Sequence, residues 1–301
     1  MVSANTNLGC ASPNRYRKPM DLVHIPLRCL GRARYLPFRL RDRILRRFAD
    51  PDHIMATPFQ TNFHGMTYRG DLSSFIDWET YFYGAYEPEV LSLIAELANR
   101  AGSDHAAFID VGANVGQHSL FAASRGLRVV AFEPWDVARG RLEANVGDNG
   151  LTNVQVFACA LGREDSRQEM YVPAGVNTGT GSLLADYNPD NNTATQPVDV
   201  RRGDGVLREV RLPPTSILKL DVEGTERAVL EGLQRFIQCS RPSIIMEVSA
   251  ETRQSFASAE EFMALLPEDS ELFEIRRRFD RHALEIFDFD HCRGNILILP
   301  K

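Results

Sequence analysis

Apolar residues recur at helical spacing from residue 87, where Val90, Leu91, Leu93, Ile94, Leu97 and Ala98 mark one face and Asn99 to Gly102 supply a stop. A short apolar run over residues 106–110 leads through Val111-Gly112-Ala113-Asn114-Val115-Gly116 into a helix that carries Leu120 and Phe121 towards Gly126. A second strand over 128–132 ends at Glu133-Pro134. The next helix carries Val137, Leu142 and Val146 and stops at Asn149-Gly150, before a third strand over 153–160. Strand and helix alternating in this way build a parallel sheet with covering helices.

The order loosens over residues 163–205. Two short strands, 168–172 and 196–201, flank a Gly/Thr/Asn-rich stretch, 177–195, which reads as disorder or a functional lid. A buried strand over 216–220 then ends in Asp221-Val222-Glu223-Gly224, and a helix follows with Ala228, Val229, Leu233 and Phe236. Residues 243–248 form a fifth strand with Glu247 near its end, 256–266 a helix, and 272–277 and 295–299 an antiparallel edge. No internal repeat is present.

Upstream, residues 1–20 read as a flexible leader rich in Asn, Ser and Pro. Residues 36–48 read as an amphipathic helix, with Leu36, Leu40, Ile44, Leu45 and Phe48 on one face and Arg39, Arg43, Arg46 and Arg47 around it, stopped by Asp50-Pro51. It lies either on an anionic membrane surface or partner, or against its own domain. The expected division is a basic leader with its helix over 1–59 and an α/β domain over 60–301.

Composition narrows the class. The 301 residues are 44% hydrophobic and 25% charged, values of a soluble globular chain, and no apolar run approaches the ~20 residues of a membrane span. The net charge of -6 hides an asymmetry, since residues 15–47 carry +9 and the rest -15. An acidic body is a poor nucleic-acid binder, so no nucleic-acid partner is expected. The five cysteines, Cys10, Cys29, Cys159, Cys239 and Cys292, form no C-x-x-C pair, which argues against a disulfide framework or zinc site and for a reducing, cytoplasmic compartment. Leu8-Gly9-Cys10 lacks the apolar segment of a lipoprotein signal.

In an open parallel sheet the ligand site lies beyond the carboxyl ends of the strands. Asp110, Gly112, Asn114, Gly116, Glu133, Asp221, Glu223 and Glu247 all fall there. A glycine turn after the first strand, with an acid 21 residues past Gly112, points to a nucleoside whose ribose hydroxyls Glu133 accepts. The middle glycine of G-x-G-x-x-G is replaced by Asn114, and Gln117-His118 stand where a phosphate-binding loop needs Lys and Ser/Thr. A ribose ligand without phosphate fits, and S-adenosylmethionine is the common one, its carboxylate set at the helix beginning near Gly116. A nicotinamide-dependent oxidoreductase and a non-catalytic cofactor-binding or membrane-associated protein are the alternatives.

Tyr86-Glu87-Pro88, the 108–116 strand and turn, Phe132-Glu133-Pro134, Ala160-Leu161-Gly162, Lys219-Leu220-Asp221-Val222-Glu223-Gly224-Thr225-Glu226 and Glu247 follow one another in an order that resembles the FkbM family of S-adenosylmethionine-dependent methyltransferases. The resemblance spans about residues 80–250. It implies a Rossmann-like class I fold, a mostly parallel seven-strand sheet with an antiparallel edge and helices on both faces, and methyl transfer to oxygen on a sugar, glycan or natural product. It further implies that Asp110, Gly112, Asn114 and Gly116 face the methionine half of the cofactor, Glu133 the ribose, and Ala160 and Leu161 the adenine. Glu87 either closes over the cofactor or caps a helix. Arg201-Arg202-Gly203-Asp204 stands where relatives tend to have Thr-Leu-Asp. A hydroxyl acceptor loses a proton, and Asp221, Glu223 and Glu247 are the candidates to take it, Asp221 first, with His118 behind them. No spacing of the H-x-x-x-H kind occurs, so the expected reaction uses no metal.

Overall fold

The computed structural model describes residues 24–102, 105–172, 181–184, 194–278 and 281–301. The chain opens with α1 (His24–Gly31), α2 (Phe38–Phe48), a hairpin of β1 (Pro58–Phe63) and β2 (Met66–Asp71), then α3 (Phe75–Tyr83) and α4 (Pro88–Ala101). The alternating part runs β3 (Ala106–Val111), α5 (Gln117–Ser124), β4 (Arg128–Phe132), α6 (Asp136–Asp148) and β5 (Val154–Phe157). It is interrupted by β6 (Ala160–Gly162), β7 (Ser166–Val172) and β8 (Ala194–Arg202), and resumes with α7 (Gly203–Glu209), β9 (Thr215–Leu220), α8 (Glu226–Gly232), α9 (Gln234–Ser240) and β10 (Ser243–Val248). Two short helices, α10 (Ala250–Gln254) and α11 (Ala259–Met263), precede β11 (Ser270–Arg278), β12 (Arg281–Ile286) and β13 (Gly294–Pro300).

The central sheet has the order β12-β11-β13-β10-β9-β3-β4-β5. Strands β10, β9, β3, β4 and β5 are parallel, and β13, β11 and β12 add an antiparallel edge. Successive residues of the inner strands enter opposite cores, as the period of two requires. Phe108, Val129, Ile217 and Ile245 pack on one face with Ile94 of α4 and Phe121 of α5, while Ile109, Val130, Leu218 and Ile244 pack on the other with Val229 and Ile237. The fold is thus the expected mixed α/β arrangement with helices on both faces. The sheet has eight strands rather than seven, because β12 joins at the margin with mostly exposed side chains and only β11 to pair with.

Three local expectations shift. The strand over 153–160 divides, since the chain leaves the central sheet after Phe157 and β6 pairs with β8 in a separate sheet of order β6-β8-β7. The helix after Gly224 breaks at Leu233 into α8 and α9. The helix over 256–266 shortens to α11, whose N-cap Ser258 accepts from the Glu261 N–H.

Helix α2 rests on its own domain. Leu45 is fully buried, the Trp78 Nε1–H donates to Ala49 O at 2.7 Å, and the Tyr83 hydroxyl donates to Asp42 Oδ1 at 2.8 Å. Of the apolar face assigned from sequence only Leu45 is buried; Arg41 sits beside it, its guanidinium donating to Gly31 O, while Leu40 and Phe48 stay exposed. Among the described residues no helix is long and apolar enough to cross a membrane. Residues 1–20, with Cys10, and most of the 177–195 stretch lie outside the described residues.

Candidate functional site

The carboxyl ends of β3, β4 and β9 are tied together by backbone. Gly112 and Ala113 N–H both donate to Phe132 O at 3.1 and 3.0 Å, Asp221 N–H donates to Val111 O at 3.0 Å, and Glu133 N–H donates to Phe157 O at 3.1 Å. Gly112 has φ +82°, and a Cβ there would lie 1.8 Å from Asp221 O, so the turn after β3 closes against the turn after β9 only with glycine. Gly116, at φ +86°, starts α5, and a Cβ there would meet Leu142 Cδ1 at 2.1 Å.

Glu133 is held at the end of β4 by Asn114 N–H on Oε2 at 2.7 Å and Trp135 N–H on Oε1 at 2.8 Å. Burial pushes its carboxyl up to about 7, although both backbone donors favour the charged form. Each oxygen keeps a further lone pair, so Glu133 can accept from a pair of ligand hydroxyls.

These turns floor a cavity of about 1020 Å³, counted to its open mouth. One end is apolar, walled by Trp135, Leu161, Met170 and Leu183. Met170 comes from β7, and Leu183 from the short segment 181–184, where Ser182 exchanges backbone hydrogen bonds with Tyr171 at 2.8 and 3.0 Å. The Ser182 hydroxyl also donates to Glu223 O at 2.8 Å, which anchors this wall to the turn after β9.

The other end is acidic. Carboxylate oxygens of Asp221, Glu223 and Glu247 lie within 4.8 Å of one another. Such a group attracts a cation, and the buried Lys219 provides one from within the chain, its Nζ 2.7 Å from Asp221 Oδ2. Burial works against charge on Asp221, but Lys219 holds its carboxyl below the ordinary range. The Asp221 charge, with burial and Glu223 behind it, pushes Glu247 up to about 10. Tyr86 enters the same end, its hydroxyl raised by the Glu87 charge, then by burial and Asp221. His118 lines the cavity and turns Nε2 to within 3.3 Å of Glu87 Oε2. Glu226 shapes the floor, its carboxylate accepting from Val222 and Gly224 N–H at 3.2 Å each and from the Thr252 hydroxyl at 2.7 Å.

Of the residues singled out from sequence, Gly112, Asn114, Glu133, Ala160, Leu161, Asp221, Glu223 and Glu247 line this one cavity. Asp110, Gly116 and Glu87 stand behind its wall. Asp110 is fully buried and accepts from the Ser119 hydroxyl at 2.6 Å, and Glu87, in left-handed backbone at the head of α4, accepts from Asn295 Nδ2 at 2.6 Å. Sequence reasoning passed over Lys219, Trp135, Tyr86, Met170 and Leu183 as site residues. For Lys219 the signal was present, since a lysine inside an apolar strand needs a partner and Asp221 lies two residues on, along the same side of the chain. For Met170 and Leu183 no local signal exists, because their place depends on a distant sheet.

Residues 110–282 match the methyltransferase FkbM domain. The AMB antimetabolite synthetase AmbE of Pseudomonas aeruginosa is 31% identical over 177 residues, covering 48% of this chain and 8% of that protein. Methyltransferase 1 of Beauveria bassiana is 30% identical over 149 residues, covering 43% of this chain and 59% of that protein. The 31-O-demethyl-FK506 methyltransferase FkbM of Streptomyces tacrolimicus is 30% identical over 154 residues, covering 42% of this chain and 58% of that protein. The chain thus spans less than two thirds of the length of each of these relatives. With more than half of its residues in the domain match, and the matched motifs lining one cavity, the chain belongs to the FkbM methyltransferase family.

Proposed function

We propose that the protein transfers a methyl group from S-adenosylmethionine to a hydroxyl oxygen of a sugar, glycan or natural product. The observation that carries this reading is the convergence, in one cavity, of an apolar end, a carboxylate with spare lone pairs and an acidic end. Those three parts suit a purine, a ribose and a sulfonium. The Streptomyces relative, a methyltransferase named for an O-demethyl substrate, supports an oxygen acceptor. A dinucleotide fits less well, because Asn114 takes the position where backbone must approach a pyrophosphate, and its own N–H is already given to Glu133.

Bound there, S-adenosylmethionine supplies an electrophilic methyl group. Trp135, Leu161, Met170 and Leu183 hold the base, and Glu133 accepts the ribose hydroxyls. Asp221 takes the proton that an acceptor hydroxyl must lose, while Tyr86 and His118 orient that hydroxyl; positioning of this kind supplies several kcal/mol of rate. The direct test is transfer of radiolabel from S-adenosylmethionine to an acceptor panel of polyols, sugars and hydroxylated natural products, with NADH binding measured in parallel. NADH binding without methyl transfer would replace this reading with the oxidoreductase one.

Cofactor binding should follow the ionisation of Glu133. Ribose hydroxyls donate to the charged carboxylate, whose proton comes off at about 7. S-adenosylhomocysteine affinity, measured by calorimetry, is therefore expected to weaken as pH falls below about 7 and to level off above it. Glu133→Gln should lower affinity by roughly tenfold, the worth of a charged hydrogen bond, and flatten the pH curve. Equal affinity for both proteins across this range would remove Glu133 from the ribose.

The reading includes a cytoplasmic enzyme with peripheral contact between residues 36–48 and an anionic membrane. The contact is supported by exposed Leu40 and Phe48 among the α2 arginines. Sedimentation with phosphatidylglycerol vesicles, but not with phosphatidylcholine vesicles, is the expected outcome. Replacing Arg43 and Arg47 with glutamate should abolish it, and equal sedimentation with both lipids would discard the contact.

A further inference from the structure

We infer that Lys219 sorts the protons of the acidic end: it keeps Asp221 as a bare carboxylate and leaves Glu247 as a neutral carboxylic acid, so the site presents one proton acceptor beside one proton donor. The inference deepens the methyl-transfer reading above and rests on it for its use, though not for its test. Lys219 is 1% exposed and its Nζ sits 2.7 Å from Asp221 Oδ2. Glu247 lies in β10 and Asp221 directly follows β9, its parallel neighbour, and the ends of these strands bring their carboxyl groups together with that of Glu223. Carboxyl groups this close and only partly exposed to water resist ionising together, which favours one of them keeping a proton.

Lys219 decides which. Around Glu247 stand Lys219 of β9, Asp221 and Glu223 from the turn after it, Glu87 at the head of α4, Tyr86 just before it, and His118 on α5. Asn295 of β13 lies opposite Glu247 in the sheet, and its amide is given to Glu87. The ammonium contacts Asp221, so Asp221 gains most from being charged, and that charge in turn holds the proton on Glu247. Asp221 is the proton taker for an acceptor hydroxyl for this reason rather than by its place at a strand end alone. When the acceptor's O–H bond breaks, the proton goes to an Asp221 oxygen and Glu247 keeps its own. Lys219 touches neither acceptor nor cofactor in this account and is a positioning residue.

Infrared difference spectroscopy of the protein reads these protons directly, without an acceptor. At about pH 8 the wild-type protein should show the carbonyl band of a protonated carboxyl that fades only towards pH about 10, and Glu247→Gln should lack it. Lys219→Met should shift or broaden that band, because Asp221 without its cation competes with Glu247 for the proton. The inference is overturned if no such band remains in the wild type above about pH 8, where Glu133 has already ionised, if Glu247→Gln keeps it, or if Lys219→Met leaves the carboxyl bands unchanged. Should a variant fail to fold, the wild-type titration decides alone. A persistent band in a protein that methylates no acceptor would sink the methyl-transfer reading and leave the proton assignment standing; turnover without the band would do the reverse.

Discussion

Asp221→Asn is expected to lower methyl-transfer turnover by roughly 10²–10⁴-fold, the range over which a positioned proton acceptor acts. The amide keeps the size and an oxygen for Lys219 but cannot take a proton from a hydroxyl. It also strips the buried lysine of its counter-charge, a 2.7 Å contact at a site where Lys219 is 1% exposed. Breaking one side of a buried pair costs about 3–5 kcal/mol, so the variant should unfold at clearly lower denaturant. Ligand binding separates chemistry from damage. The folded variant should hold S-adenosylhomocysteine about as well as the wild type. Wild-type turnover in Asp221→Asn would take Asp221 out of proton transfer.

Gly112→Ala should be the most damaging of the small substitutions. Left-handed backbone costs a non-glycine residue about 1–3 kcal/mol by itself. The methyl group would also meet Asp221 O at 1.8 Å and its carbonyl carbon at 2.8 Å, and backbone cannot turn aside as a side chain can. The Asp221 N–H bond to Val111 O, at 3.0 Å, means that moving Asp221 away also pulls on β3. Loss of cofactor binding together with several kcal/mol of stability is expected, read by calorimetry and chemical denaturation. Gly140→Ala is the control: this helical glycine of α6 has open space around its Cβ direction, and alanine there should stabilise by about 0.4–1 kcal/mol. If Gly112→Ala is as benign as Gly140→Ala, the close approach of the two turns plays no part in holding the site.

What the sequence disclosed and what it hid divide along a physical line. The inner strands were legible because burial on both faces leaves continuous apolar runs, as in Phe108-Ile109 or Ile244-Ile245-Met246, and because glycine or acidic residues end them. Their carboxyl ends then located Glu133, Asp221 and Glu247 without any knowledge of contacts. Strand β12 was illegible, since exposed Leu284 and Ile286 alternate with nothing buried enough to mark a face. The hairpin β1–β2 carries a clear alternation, with Phe59, Thr61 and Phe63 inward, that was left unread. Asp110 stands apart: its position at a strand end has the pattern of a ligand contact, but its full burial and the α5 hydroxyl on one of its oxygens are set by packing that no local pattern indicates. Residues such as Met170 could not be assigned because the sheet that delivers them is closed by pairing with β8, beyond the reach of any local pattern.

The small sheet of β6, β8 and β7 leaves and rejoins the main fold at one spot, since Ala160 at its start lies beside Val200 near its end. A loop whose ends already touch exchanges for another at little entropic cost. The proton-handling residues on β9 and β10 belong to the part that stays, whereas Met170 travels with the part that can be replaced. A graft of residues 163–199 from a relative would therefore reshape one wall of the cavity while leaving the carboxyl cluster intact. In this architecture the range of molecules admitted and the chemistry performed on them can diverge independently, along separate stretches of one chain.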